Sequence, residues 1–426
     1  MHASTKTEGE VSLSQADSSS LLRTFRALHY RDFRRLWTGL AVSAVGTWMQ
    51  IVALSLFVLD LTRGSAAALG TVCLTQALTF LLFAAIGGSV ADRFDKRRLL
   101  LLTQSLMMGF AVLLGILTLT GLIRFWIILL VAFASSSALS FDQPARNALI
   151  TSLVPKEHLM NAVSLQSAVF NGASILGPAL AGLVLSRIGY AGNFFLNAAS
   201  FLAVLVALLL LRTPQEHTRR PGGRLLASAR EALQYVRRDS VLPSVVPAYA
   251  ALLFFGPSGA LALPVFAKEV LHVGPTQLGV LFSAVGAGTV VGALILPSLA
   301  GTTDNSRLVF GAILLWTIAL AVFGWSDSLR VSVPALFVVG AAQNIAGATT
   351  ITLLQLRVPV EMRGRAMSLN TLLIMCIRPL GDFPAGAVIT WLGFRPTVLL
   401  GAALVGAVSL TLYVAREVGA PEAQVR

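Results

Sequence analysis

Residues 67–98, AALGTVCLTQALTFLLFAAIGGSVADRFDKRR, decide the fold. No charge occurs from Ala67 to Ala91; Asp92-Arg93 and Asp95-Lys96-Arg97-Arg98 then follow in quick succession. A helix crossing the ~30 Å hydrocarbon core of a bilayer needs roughly 20 mostly apolar residues. This run supplies them in one piece and ends on a basic cluster. A transmembrane barrel would read as short alternating segments instead. Outward from this run the pattern recurs, and twelve spans are predicted at about 36–60, 67–90, 99–120, 124–141, 161–186, 193–211, 242–267, 276–299, 307–325, 331–355, 365–391 and 396–415.

The composition agrees. Only 12% of the 426 residues are charged and 56% are hydrophobic, against about 25% charged in soluble domains. That excludes a water-soluble core, a disordered chain and a disulfide scaffold. The net charge of +13 would suit nucleic acid, but its placement points elsewhere. With the N-terminus inside, 25 Lys/Arg fall in cytoplasmic segments and six in external ones (Arg63, Arg124, Arg187, Lys268, Arg330 and Arg395). Positive-inside asymmetry of this kind orients a multi-pass membrane protein with both termini cytoplasmic, its basic residues facing anionic lipid. Cys73 and Cys376 sit in apolar runs without metal-ligand spacing. Residues 1–22 read as a disordered polar tail without a signal-peptide core. Two stretches read as interfacial: Arg23–Trp37, and an amphipathic helix at 224–238.

The chain also repeats itself. Residues 154–193 lie over 358–397 without a gap, with eleven identities among forty positions, including Pro155/Pro359, Glu157/Glu361, Gly177/Gly381, Gly182/Gly386 and Gly189/Gly393. Six spans separate the copies, so the halves share one orientation, as in parallel-repeat transporters. The expectation is an all-α integral membrane fold of twelve helices in two six-helix halves, 23–211 and 241–415. A cytoplasmic linker, 212–240, would join them, and a short tail, 416–426, would follow.

Gly88, Asp92, Arg93, Lys96 and Arg97 place a small residue, a carboxylate and three cations at one helix end, suited to latching neighbouring helix ends. This spacing resembles the loop 2–3 signature of the major facilitator superfamily, with Asp95 where that signature has glycine. Offset by 204, Gly88 falls on Gly292 but Asp92 on Leu296, so any latch is asymmetric. Gly172-Ala-Ser-Ile-Leu-Gly177-Pro178-Ala-Leu-Ala181-Gly182 resembles the fifth-helix motif of exporters in that superfamily; generic close packing explains it as well. With Arg31–Trp37, Pro144–Ile150, Leu153-Val-Pro155 and Val358–Arg365, the resemblance narrows to the enterobactin-exporter and macrolide-efflux-like branch. It implies alternating access, proton-driven export from the bacterial inner membrane, and action as a monomer. It also implies a central cavity lined by spans 1, 4, 7 and 10. Gln50, Ser136, Ser140, Tyr249, Gln343 and Asn344 are then candidate substrate contacts, or else hydrogen bonds between helices; Trp48, Phe254 and Phe255 are candidate apolar contacts.

Within the spans, Arg378 and Asp382 share a helix face at i and i+4 near mid-bilayer. Charges there are costly and mark function by default. They read as a proton-coupling site, Asp382 with Arg378 beside it, or as a static ion pair. Asp60, Asp142 and Glu269 read as anchors at span ends, where water is near. No phosphate-cradling loop, HExxH motif or nucleophile triad is present, so no enzyme, cofactor or metal is expected. The function that follows is export of a small amphipathic solute such as a siderophore, drug or related metabolite. A metabolite or lysophospholipid carrier, and a non-transporting receptor or scaffold, are the alternatives.

Overall fold

The computed structural model describes residues 26–211, 225–299 and 304–423, except the side chains of residues 85, 88, 89, 91–93, 225, 226 and 419–423. Among the described residues there are helices and no strands. The predicted tail at 1–22 lies outside them.

The first half runs α1 (Arg31–Leu61), α2 (Ala66–Arg93), α3 (Lys96–Leu119), α4 (Phe125–Leu153) and α5 (Leu159–Leu209). A 51-residue helix would be about 77 Å long, far beyond one bilayer, and α5 is two spans joined at Gly189 (φ 68°). Its arms pair oppositely with α1. Trp37 donates to the Leu165 carbonyl on the first arm, whereas Gly39 abuts Ala203 and Phe57 stacks on Phe194 of the second. Gly393 makes the same turn at φ 85° in the second half. The duplicated sequence therefore repeats the one backbone angle that favours glycine.

Helix α6 (Leu225–Val236) lies between the halves. The second half comprises α7 (Leu242–Phe255), α8 (Gly259–Glu269), α9 (Pro275–Leu299), α10 (Asn305–Trp325), α11 (Leu329–Arg357), α12 (Arg363–Leu372), α13 (Arg378–Leu392) and α14 (Phe394–Ala423). The seventh span is α7 and α8, broken at Gly256-Pro257 and restarted by the Ser258 side chain, which accepts from the Leu261 N–H. The eleventh is α12 and α13 joined by a π-turn, Leu373–Ile377. With α5 counted as two, twelve spans result.

Several boundaries differ from the sequence reading. Helix α1 starts at Arg31, and Phe33 and Leu36 are buried with Leu149, Leu153 and Leu208, so one side of this basic stretch packs into protein while Arg31 and Arg34 stay exposed; residues 23–25 lie outside the described residues. Helix α6 is amphipathic as expected, but it buries Ala229, Ala232 and Val236 in the second half's core. Glu231 pairs with Arg365 at 2.6 Å and the Tyr235 hydroxyl donates to the Arg357 carbonyl. Its apolar face thus rests mainly on α12, with α2 and α7 beside it. Asp95, at the unexpected position in the loop, caps α3 by accepting from the Arg98 N–H at 2.8 Å. Asp304 caps α10 in the same way and holds Arg416 of α14 at 3.0 Å.

Arg97, Arg357 and Arg365 share one end of the bundle with the α3 cap and α6; this is the basic end. Asp60, Tyr190 and Lys268 mark the opposite end.

Candidate functional site

Two seams join the halves, and they are near copies. Helix α2 packs on α13. A methyl placed on Gly70 would lie 2.8 Å from the Asp382 carbonyl oxygen, and one on Gly386 2.5 Å from that of Ala66. The first arm of α5 packs on α9. There the matching values are 2.5 Å from Gly279 to Pro178 and 2.7 Å from Gly182 to Pro275. Gly279 lies 209 residues after Gly70, whereas Gly386 lies 204 after Gly182. The single offset of 204 therefore fails for the second span, and the Gly88/Gly292 match is not a structural one. Backbones this close admit no larger residue.

Both seams lie toward the opposite end. There Asp60 of α1 is clasped across the halves by Lys268 of α8 at 2.7 Å and takes a short hydrogen bond from Tyr190. Ala67 N–H donates to Thr390. Along α5, the arm buries Ser174, Pro178 and Gly182 near this end but exposes Ser164, Ser167 and Phe170 toward the basic end. The halves are therefore shut at the opposite end and parted toward the basic end.

Asp382 sits in the α2–α13 seam, 2% exposed. Its carboxylate accepts the Ser258 N–H at 2.8 Å and adjoins the Cys73 thiol of α2. It thus ties the broken seventh span to both seam helices. A carboxylate at the start of α8 also meets that helix's unpaired N–H groups and positive dipole end. The expected ion pair with Arg378 is not made: among the described residues Arg378 has no carboxylate within 4.0 Å, and its buried Nε has no hydrogen bond. Sharing a helix face did not suffice, because Asp382 is taken by Ser258 and Cys73. Arg378 remains within electrostatic reach of Asp382 and of Tyr249.

The remaining candidates divide. Gln50 accepts from Asn197 at 2.5 Å, and the Ser140 hydroxyl bonds back to the Ser136 carbonyl; Ser136 and Ser140 are buried. Gln50 and Ser140 thus find their partners within the first half. Tyr249 is buried, with its hydroxyl over Gly347 of α11. One turn earlier on α11, Asn344 has a buried, unpartnered Oδ1; Gln343 is half-buried. Trp48 stacks near Phe170 with an unpartnered Nε1, and its backbone side lies against Gly177. Phe254 and Phe255 pack edge to face. Orphaned buried polar atoms are rare in native folds and point to water or ligand. Among the described residues such atoms are spread over many helices, with Trp48 on α1, Asn344 on α11 and Arg378 on α13 among them.

Of the loop 2–3 cluster, Gly88, Asp92 and Arg93 have side chains outside the described residues. Lys96 opens α3, and Arg97 donates to the Leu209 carbonyl at 2.8 Å, closing the C-terminus of the sixth span. In the fifth-helix motif, Gly177 admits α1 while Pro178 and Gly182 meet α9, so the motif touches both halves.

Asp142 departs most from its reading. It is not at a span end: α4 continues to Leu153, and Asp142 is 0% exposed. It pairs with Arg146 and accepts from Thr103 at 2.9 Å and Gln104 at 2.7 Å. The polar run after residue 141 hid this, because α3 supplies its partners from elsewhere in the chain.

A family model described as transmembrane secretion effector matches residues 22–424. The uncharacterized MFS-type transporter YfiS of Bacillus subtilis (strain 168) is 24% identical over 411 residues, 91% of this chain and 95% of that one. The enterobactin exporter EntS of Citrobacter koseri is 27% identical over 396 residues, 91% and 90% of the two chains. Among solved structures, a bacterial homologue of the human lysosomal transporter Spinster in an inward-facing, unoccupied conformation superposes with TM-score 0.73 at 15% identity, covering 91% of this chain and 97% of that one.

Proposed function

This chain belongs to the transmembrane secretion effector family of major facilitator transporters, and we propose that it exports a small amphipathic solute from a bacterial cell in exchange for protons. It is a multi-pass membrane transporter and not an enzyme. The basic end faces the cytoplasm, with both termini on that side. The halves, 23–211 and 241–415, rock about the two seams while 212–240 joins them. In this arrangement the cavity opens inward, ready to load.

The observation that carries the reading is the external closure itself. Charged groups are spent on holding it, and small residues let its backbones touch. Opening outward parts Asp382 from Cys73 of the first half and leaves it only the Ser258 N–H of its own half. A carboxylate that loses a donor in a low-dielectric seam is costly, and a proton from the acidic exterior removes that cost. Asp382 is therefore the coupling carboxylate of this proposal, and its charge state biases one conformation over the other. Asp92 and Arg93 serve as the cytoplasmic latch. The polar atoms of Tyr249, Gln343 and Asn344 face the solute, with Trp48 as its apolar wall.

The test is transport in vesicles with an acidic lumen, following lumenal pH while siderophores, macrolides, dyes and lysolipids are added. Proton efflux that requires solute, and that is lost in Asp382→Asn while solute binding persists, is the expected result. Solute flux without proton movement would refute coupling. No flux with any compound would refute export in favour of a receptor.

A further inference from the structure

We propose that Arg378 binds an anionic group of the transported solute, so that the cavity prefers carboxylate-, phenolate- or phosphate-bearing amphipaths over cationic ones. The inference rests on the transport reading above and narrows its solute class.

Four observations converge on this arginine. First, it lies about 15 residues into a span that begins at Arg363, roughly 22 Å at 1.5 Å per residue, near mid-membrane. A cation at that depth needs a partner, water or both, and among the described residues no carboxylate lies within 4.0 Å. The acid one turn away, Asp382, is committed to Ser258 and Cys73 in the sealed seam. Arg378 lies one turn nearer the cytoplasm, on the open side of that seal.

Second, its Nε is buried without a hydrogen bond. An arginine offers five N–H donors in a planar fork that matches carboxylate and phosphate. Arg97 and Arg146 also bury an unpaired Nε, but both lie near the basic end; at mid-membrane an unpaired donor suits an acceptor carried by a solute.

Third, the neighbouring groups suit a solute. The Tyr249 hydroxyl and the unpartnered Asn344 Oδ1 lie one helical turn apart along α11, the first over Gly347. The Tyr249 hydroxyl, within electrostatic reach of Arg378, offers a donor and an aromatic ring for an apolar body, and Asn344 offers an acceptor one turn along α11.

Fourth, the duplicated fold departs from its own pattern here. At offset 204, Arg378 and Asp382 correspond to Ser174 and Pro178. The matching stretch of α5 is unbroken α-helix, whereas the eleventh span carries the π-turn Leu373–Ile377 immediately before Arg378. Such turns occur frequently at functional sites. The scaffold needs no charge at this place, as the first half demonstrates.

The experiment uses the full chain in lipid nanodiscs and three probes with one aromatic body: 2-naphthoate, 2-naphthamide and 2-naphthylmethylammonium, with affinities by calorimetry. One charge-assisted contact predicts naphthoate binding about tenfold or more tighter than the amide, with the ammonium weakest. Arg378→Gln brings naphthoate and naphthamide together. Arg378→Lys, a point charge without the fork, keeps part of the preference. Thermal melting of each variant guards against misfolding. Equal affinities in the wild type, no binding of naphthoate at millimolar concentration, or a preference surviving in Arg378→Gln overturns the proposal. A protein that prefers naphthoate yet moves no solute across vesicles keeps the anion site and rejects the exporter. One that exports without regard to solute charge does the reverse.

Discussion

Gly182→Ala isolates the external seam. The added methyl would lie 2.7 Å from the Pro275 carbonyl oxygen and 2.9 Å from the Thr276 Cα, against an optimum of about 3.5–4.0 Å for carbon contacts. Both neighbours are backbone, so α9 itself must shift. Overpacking of this kind costs about 1–3 kcal/mol, and only in the conformation where α5 and α9 touch. The balance should therefore move about 5- to 150-fold toward the outward-open form. Spin labels replacing the exposed Arg124 and Arg330, one in each half, read this as a longer distance population. Gly386→Ala, 2.5 Å from the Ala66 carbonyl across the twin seam, should shift the balance the same way. Gly172→Ala, on the same helix as Gly182 but with nothing within 4 Å, should leave the distances alone. An unchanged distribution in Gly182→Ala, or an equal shift in Gly172→Ala, would refute the close-contact reasoning.

Two further predictions concern charges away from that seam. Asp142→Ala strands Arg146, Thr103 and Gln104 and should lower stability by about 3 kcal/mol, the lower end for a broken buried pair, because Arg146 is 25% exposed; a melting temperature equal to wild type would count against it. At Asp304, burial pushes the carboxyl up, but the Ser306 N–H, Arg416 and the Ser306 hydroxyl outweigh it and hold it below its usual 3.8. A depressed folded value stabilises above the unfolded one and fades as pH falls through the folded one. The stability gap between wild type and Asp304→Asn should thus be full at pH 6 and close below about pH 3.8, and a pH-independent gap would refute the link.

The spans, their number and the duplication were legible because hydropathy and glycine placement are local properties. Gly189 and Gly393 were matched as letters before their shared positive φ gave the match a cause. The break in the seventh span is also written locally, as Gly256-Pro257-Ser258, but inside an otherwise continuous apolar run. Other features are not local. An amphipathic pattern does not say whether α6 faces lipid or the second half. The i, i+4 spacing of Arg378 and Asp382 does not reveal that a backbone N–H 124 residues away claims the carboxylate first. Which of Ser136, Ser140 and Tyr249 points inward depends on the rotation of each helix, and one sequence does not fix it.

The twin seams share a backbone geometry but not a chemistry. At the place where one presents Pro178, the other presents Asp382. Parting α5 from α9 gives up close contact and the hydrogen bond from the Ser283 hydroxyl to the Ile175 carbonyl, a neutral pair that water replaces. Parting α2 from α13 takes the Cys73 thiol from a buried carboxylate. Under the proposed exchange the two hinges are therefore unlike: one answers to the charge of Asp382 and the other does not.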